Sequence, residues 1–338
     1  MMIHMSKGSH TERVSWVFKT LKENIDKGLY SPGARFLSAR DLSHRYELSY
    51  QTADRLLTEL AKEGRLIRRP KSGTYVAGKA LTYQGLQLLL PKRANEIGTF
   101  SHEMRRHLEP MLQAIDGYDL KVEAAQLHKL HDDMLPIMWM ADRAAARCIA
   151  AGRRGILINE HPRVMIADLF DAVGLDNAVG GAIAADALVR MFGRRSKLMV
   201  LAGPKHDERS LARAHGFSAR AGWATVIHAG GWLSSHGERW AARIAREEVD
   251  GLFCANDRLA EGVITWLQKQ KRRVPAVIGF DNAPIAKRLG LSTVAIPWQS
   301  FAEEVRLMAE RRLNDPGSPR RRVDLVPQLV VRKLAASE

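Results

Sequence analysis

Apolar residues recur at helical intervals from the first residues of the chain onward. In "TERVSWVFKTLKENIDKGLYSPG", Val14, Val17, Phe18, Leu21 and Ile25 fall three and four apart, which predicts a helix with one buried face. Gly28 and then Ser31-Pro32-Gly33 stop it. A short second helix is predicted in "LSARDLSHRYEL", with Ser38 as cap and Leu42 inward. A third follows in "SYQTADRLLTELAKEG", opened by Ser49 and closed at Gly64, with Leu56, Leu57 and Leu60 as its buried stripe. Thr74, Tyr75 and Val76 then read as the return strand of a hairpin turning at Pro-Lys-Ser-Gly, flanked by Arg65, Arg68, Arg69 and Lys71.

From Tyr83 the texture changes. Apolar runs such as "LQLLLP", "YDLKVEA", "LPIMWM", "GILIN", "DAVGLDN", "KLMVLAGP", "ATVIHAG", "GLFCAND" and "AVIGFDN" read as strands. Between them lie helical patterns such as "FSHEMRRHLEPMLQAI", "DRAAARCIAAG", "GGAIAADALVRMF" and "DRLAEGVITWLQKQ". Regular alternation predicts parallel sheets with helices on both faces. A region of about 255 residues exceeds one comfortable sheet, so two similar lobes are expected. Ligands in such folds sit at the carboxyl ends of strands, where this sequence places Asn159, Glu160, Asn256, Asp257, Asp281 and Asn282.

Charge sharpens the reading of the first segment. The 338 residues carry a formal net charge of +15, and the first 80 hold fifteen Lys and Arg against eight Asp and Glu. A cationic hairpin beside two short helices joined by Tyr46-Glu47-Leu48 makes a winged helix-turn-helix, whose second helix enters the major groove. Two cysteines, Cys148 and Cys254, without a CxxC pattern argue for a reducing cytoplasm and against a disulfide framework or zinc cluster. No apolar run approaches the length of a spanning helix, and "MMIHMSKGSHTER" lacks the apolar core of a signal peptide; a cytoplasmic protein without a membrane partner is expected.

The segment "GLYSPGARFLSARDLSHRYELSYQTADRLLTELAKEGRLIRRPKSGTYVA" resembles the DNA-binding domain of GntR-type transcription regulators. That resemblance implies contacts to double-stranded operator DNA from Arg40, from Ser49, Tyr50, Gln51, Thr52 and Arg55 on the reading helix, and from Arg69, Lys71 and Gly73 on the wing. Leu37 stands where the family usually has proline, and Tyr50 and Asp54 where many members carry arginines. The segments "FDAVGLDNAVGGAIAADALVRMFGRRSKLMVLAGP", "DGLFCANDRLAEGVITWLQKQKRRVPAVIGFDNAPIAKRLGLSTVAIPWQSF" and "VDLVPQLVVRKL" resemble the effector domain of LacI-type regulators. The implied fold is α/β: an N-terminal winged helix-turn-helix followed by a two-lobed, Rossmann-like periplasmic-binding-protein type I fold. The resemblance divides the chain into a head at 11–78, a linker at 79–82 and an effector domain at 83–338.

By the second resemblance Arg213 clamps a ligand hydroxyl or carboxylate, Trp232 stacks on a sugar face, and Asn256 and Asp281 hydrogen-bond hydroxyls. Phe100, Asn159 and Glu160 line the cleft from the first lobe. Polyols need such planar bidentate partners and an aromatic platform. Two departures are visible, a clipped crossover helix in "AQLHKLHDD" and Ile296 at a position often polar.

The two resemblances together imply a homodimeric one-component transcription regulator, a repressor by default, with a small polar effector and no cofactor. A solute-binding protein or an enzyme using the interlobe cleft is the competing reading. "HKLHDD" places His128, His131, Asp132 and Asp133 at helical spacing but reads as a solvated face, not a metal site. No GxSxG elbow, Walker-type loop or GxGxxG after a strand is present. Gly180-Gly181 is expected to serve close helix packing, and the basic loop "PGSPRRRVD" to stay solvated.

Overall fold

The computed structural model describes residues 10–26, 29–30, 32–70, 72–77, 83–125, 130–151, 153–159 and 170–332. The head consists of α1 (His10–Asp26), α2 (Ala39–Tyr46), α3 (Tyr50–Lys62) and a hairpin of β1 (Leu66–Arg69) with β2 (Gly73–Val76). Its core is the set the periodicity picks out: Val17, Leu21, Leu42, Leu56, Leu57 and Leu60, each essentially inaccessible, closed by Leu66 and Val76 from the hairpin. Burying each of these side chains contributes about 1.5–3 kcal/mol. Ser38 caps α2 through a reciprocal box with Asp41, and the Ser49 hydroxyl accepts the Thr52 amide at the start of α3. The hairpin pairs Leu66 with Val76 and Arg69 with Gly73. Gly73 has φ +125°, and a Cβ there would stand 3.2 Å from Arg35 Nε, so the wing needs glycine at this point.

The remaining elements form two six-stranded sheets with helices between their strands. The first holds β3 (Gly85–Leu90), β4 (Asp119–Ala124), β5 (Met134–Met138), β6 (Gly155–Ile158), β7 (Phe170–Leu175) and β13 (Arg322–Leu325) in the order β13-β7-β6-β5-β3-β4. The second holds β8 (Leu198–Ala202), β9 (Thr225–His228), β10 (Gly251–Cys254), β11 (Ala276–Asp281), β12 (Ser292–Ala295) and β14 (Gln328–Val330), ordered β14-β12-β11-β10-β8-β9. β3 pairs in parallel with β4 and β5, and β10 in parallel with β8 and β11; β14 runs antiparallel to β12. The helices are α4 (Phe100–Gln113), α5 (Asp142–Ala150), α6 (Asn177–Phe192), α7 (Glu208–Arg220), α8 (Ser234–Glu247), α9 (Asp257–Lys269), α10 (Pro284–Arg288) and α11 (Trp298–Asn314). The clipped helix expected in "AQLHKLHDD" does not extend through Leu130–Asp133, which is non-helical, while 126–129 lie outside the described residues. Helices α6 and α7 pack backbone to backbone. A Cβ on Gly181 would sit 2.0 Å from the Arg213 carbonyl oxygen and one on Gly216 1.8 Å from that of Ala178.

Two compact units result. The first comprises Met1–Pro91, Met111–Ala172 and Val305–Arg322; the second comprises Lys92–Pro110, Val173–Glu304 and Val323–Glu338. Within the first unit the head is docked, not loose. Leu29 packs on the buried cluster of Leu89, Met138, Ala144 and Cys148, and Ala34 lies so close to Gly317 that a Cβ there would meet it at 2.7 Å. The loop carrying Gly317 is fixed by Arg312, whose guanidinium donates to Asp171 at 2.6 and 2.9 Å and to the carbonyls of Pro316 and Ser318. The basic loop is therefore half-buried at Pro316 and Gly317, buried at Ser318 and exposed at Pro319–Arg322.

Candidate functional site

Two places gather the residues singled out from the sequence. The first is the exposed side of the head. Arg40, Ser49, Tyr50, Gln51, Arg55 and Arg69 are all exposed, Thr52 and Gly73 partly so, and Lys71 lies outside the described residues. Tyr50 and Gly73 line one concavity with Arg35, Ser38, Asp54, Arg68 and Arg69; its volume is about 420 Å³. Arg69 lies over the Tyr75 ring at 4.7 Å from the centroid, which holds the wing strand and its cation together. The Ser49 and Thr52 hydroxyls are 2.8 Å apart and engaged in capping, so they shape the helix start. Two of the four hairpin cations are tied internally. Arg65 donates to Asp26 and Glu63, and Arg68 to Asp54 and Thr58.

The second place lies in the second unit, at the carboxyl ends of β10 and β11. A cavity of about 40 Å³ is lined by Gly98, Phe100, Glu103, Asn256, Arg258, Asp281, Ala283 and Trp298. Asp281 ends β11 with φ +105°, a strained conformation for a non-glycine residue, of the kind that concentrates at functional sites. Its Oδ1 stands 3.3 Å from Arg213 Nη1. Arg213 is held on every side: Nε donates to Asn177 Oδ1 at 2.8 Å, Nη1 to the Ala255 carbonyl at 2.6 Å, and the guanidinium lies 3.6 Å from the Phe280 ring centroid.

Burial pushes the Asp281 carboxyl up to about 6, against the pull of Arg213, and brings Arg213 down to about 10, against the pull of Asp281. At neutral pH both are charged and form an ion pair. Burial, reinforced by the Asp281 charge, raises the neighbouring Asp257 well above the ordinary carboxylate value, although Thr293 and the Ala283 amide donate to it at 2.6 and 2.7 Å. Asp257 thus holds its proton more tightly than an ordinary carboxylate does.

Among the residues expected at the ligand, Phe100, Asn256 and Asp281 line this cavity, and Arg213 reaches it through Asp281. Asn256 is largely occupied: its Oδ1 accepts the Leu259 amide as the cap of α9, and its Nδ2 donates to the Trp232 carbonyl. Trp232 does not line the cavity. Its indole N–H donates to Asp207 at 3.1 Å. Burial pushes the Asp207 carboxyl up, but hydrogen bonds from Arg209 and Trp232 outweigh this and hold it below the ordinary value. Asn159 stands in the first unit at the end of β6, buried, with φ +54° and neither amide atom hydrogen-bonded among the described residues. Glu160 lies outside the described residues.

Sequence reasoning passed over Glu103, Arg258 and Trp298. Glu103 is one helical turn from Phe100 on α4, an i, i+3 relation that periodicity could have found. Arg258 donates to the Gly98 carbonyl at 3.1 Å, a contact across 160 residues with no local signal. Trp298 packs against Phe100 at 5.2 Å and stacks on His107 at 5.7 Å between ring centroids, giving the cavity an aromatic wall. Among the described residues no group of His, Cys, Asp and Glu could hold a metal ion, and no helix is long and apolar enough to cross a membrane.

The architecture is that of a winged helix-turn-helix head on a body of two parallel-sheet lobes, with a polar and aromatic cavity at strand ends. Residues 14–76 match the family model of bacterial regulatory proteins, gntR family, and residues 185–333 match the periplasmic binding protein-like domain. The chain thus joins a head that matches the gntR family model to a body whose residues 185–333 match the periplasmic binding protein-like domain. Over 77 residues it is 31% identical to the uncharacterized HTH-type transcriptional regulator YurK of Bacillus subtilis, covering 23% of this chain and 32% of that one. Over 172 residues it is 26% identical to the HTH-type transcriptional repressor PurR of Vibrio vulnificus, covering 47% of this chain and 51% of that one. The chain therefore spans about a third of the first relative's length and about half of the second's. A LacI family transcriptional regulator from Enterococcus faecalis V583 with bound ribose shares its fold at TM-score 0.63 and 19% identity, covering 75% of this chain and 98% of that one.

Proposed function

We propose that this chain is a DNA-binding transcription regulator whose affinity for operator DNA responds to a small polar ligand, a sugar or related polyol. The observation that carries the reading is the pairing of two sites on one chain. An exposed face with Arg40, Tyr50, Gln51, Arg55 and Arg69 occupies the head, and a cavity with a charged carboxylate, an amide, a guanidinium and two aromatic rings occupies the body. In this reading the head, 11–78, is joined by 79–82 to the effector domain, 83–338; Lys71 and Gly73 bring the wing to the DNA backbone. Two copies bind as a dimer, because one head makes too few phosphate contacts for tight specific binding. Ligand shifts the population between a form that matches operator half-sites and one that does not, with repression relieved by ligand.

The cavity favours a small ligand. About 40 Å³ holds on the order of three water-sized centres, so the cavity must widen to admit even a single-ring or short open-chain polyol, and a disaccharide would need more still. The bound ribose in the Enterococcus faecalis structure supports the same class. Asp281, Asn256 and Arg258 would bond hydroxyls, Phe100 and Trp298 would flank the apolar face, and Arg213 would fix Asp281; Trp232 is assigned to the same ligand. The reading takes the site as one that binds rather than catalyses: Asp281 is paired with Arg213, and the amide of Asn256 is engaged as the cap of α9. The reading places the protein in the cytoplasm. Thermal-shift titration of the full chain with pentoses, hexoses and small polyols, followed by DNA-binding assays with any hit, tests it. A ligand that raises the melting temperature and changes DNA affinity supports it; ligand binding without any effect on DNA affinity removes the regulatory half.

A further inference from the structure

The reading helix carries an acidic residue where a DNA-facing surface is otherwise cationic. Asp54 is the fifth residue of α3, one turn beyond Tyr50, and its side chain is 37% exposed. Arg68 reaches over from β1. Its Nη2 donates to Asp54 Oδ1 at 2.6 Å and its Nη1 to Thr58 Oγ1 at 2.7 Å, while Thr58 Oγ1 itself donates to the Asp54 carbonyl. One guanidinium thereby spans two successive turns of α3 and fixes one carboxylate oxygen. Among the described residues Oδ2 accepts no hydrogen bond, and Asp54 forms the wall of the 420 Å³ concavity together with Tyr50, Arg68, Arg69 and Gly73.

A carboxylate on this face repels phosphate, and Arg68, spent on neutralising it, no longer offers a full charge to the backbone. Such an arrangement costs non-specific affinity, and what it can return is base selectivity. A carboxylate only accepts hydrogen bonds. Guanine presents O6 and N7 acceptors in the major groove and thymine presents O4, so both repel it; cytosine presents the N4 amino donor without an adjacent acceptor. Adenine offers a donor, but its N7 lies beside it and repels the second oxygen.

We propose that Asp54, positioned by Arg68, selects a cytosine in each operator half-site by accepting a hydrogen bond from its N4 amino group. The inference rests on the regulator reading and goes beyond it by naming one base and the residue that reads it. Arg68 acts as a positioning residue: it holds Oδ1 and leaves Oδ2 directed at the groove.

The test is selection of binding sequences from a randomised duplex pool with the full-length wild type, Asp54→Ala, Asp54→Asn and Arg68→Ala. Equal melting temperatures of these exposed-site variants check that folding is intact. For the wild type, one position per half-site is expected to be cytosine, and replacing it should weaken binding roughly five-fold or more. Asp54→Ala should lose preference at that position alone. Asp54→Asn should shift it toward adenine, which an amide can pair with bidentately. Arg68→Ala should relax the same position while the others keep their preferences. A consensus unchanged in Asp54→Ala overturns the inference, as does an Arg68→Ala variant that weakens all sequences alike. A wild type that selects no sequence overturns the regulator reading and the inference with it, and is distinguished by the flat profile of the wild type itself.

Discussion

The Arg213 guanidinium carbon lies over the Phe280 ring, 3.6 Å from its centroid, and Nη1 of the same group stands 3.3 Å from Asp281 Oδ1. A buried cation has few alternatives: its charge is met by Asp281, while Nε donates to Asn177 and Nη1 to the Ala255 carbonyl. The ring backs the guanidinium, the guanidinium holds the carboxylate, and the carboxylate faces the cavity.

Removing Arg213 leaves the carboxylate of Asp281 buried without its partner. Arg213→Ala is expected to cost about 3–5 kcal/mol, read as a lower urea midpoint, and to abolish ligand-induced thermal stabilisation. Arg213→Lys keeps the charge and loses the flat fork, so a partial loss in both readouts is expected.

The pH dependence of this site has a defined sign. Asp281, at about 6 in the folded chain against an ordinary 3.8, holds its proton more tightly folded than unfolded. The stability drawn from it is complete below pH 3.8 and is lost as pH rises to about 6. Asp281→Asn is neutral throughout, so the melting temperature of the wild type relative to this variant should fall between pH 4 and pH 6. A difference that is flat, or rises, over that interval contradicts the assignment. The wild-type curve alone does not isolate the effect, because Asp26, Asp41 and Asp207, all held below the ordinary value, contribute with the opposite sign.

Gly73 is the point at which the wing turns back. With φ +125° and Arg35 Nε 3.2 Å from a would-be Cβ, Gly73→Ala is expected to destabilise the head by more than about 1 kcal/mol. Hydrogen exchange of the hairpin amides should quicken, and DNA affinity should fall, while ligand-induced stabilisation stays as in the wild type.

Arg40 and Arg69 are exposed cations on the proposed DNA-facing side. Arg40→Ala and Arg69→Ala should each weaken binding to all sequences alike and lower the slope of log affinity against log salt by about 0.9. An unchanged slope removes that residue from the phosphate contacts.

The parts of the fold that were legible are those written in local periodicity. Val17, Leu21, Leu42, Leu56, Leu57 and Leu60 recur at helical spacing because one face of each helix must be apolar, and all six are buried. Ser38 and Ser49 were legible as caps because a hydroxyl before a helix satisfies amides that the helix itself leaves open. What the sequence hid are partnerships made in three dimensions. Asp54 reads as a departure from a pattern until Arg68, fourteen residues on and on another element, is seen to hold it. Asn256 and Trp232 both read as ligand contacts, yet the amide of Asn256 caps α9 and donates to the Trp232 carbonyl, and the Trp232 indole is anchored on Asp207. An amide or indole has the same signature in a chain whether its partner is a ligand or a neighbour. Arg258 and Trp298 were passed over for the complementary reason, that their cavity-facing positions depend on contacts with residues some 160 and 200 positions away.

The packing of Leu29 against the cluster that holds Met138 and Cys148, with Ala34 pressed against the Gly317 loop, means that the head is fastened to its lobe by more than the covalent chain. A chain given a protease site between Ala77 and Tyr83 and cut there should yield two fragments that still travel together through a sizing column at low denaturant. Replacing Leu29 with a charged residue should let them part.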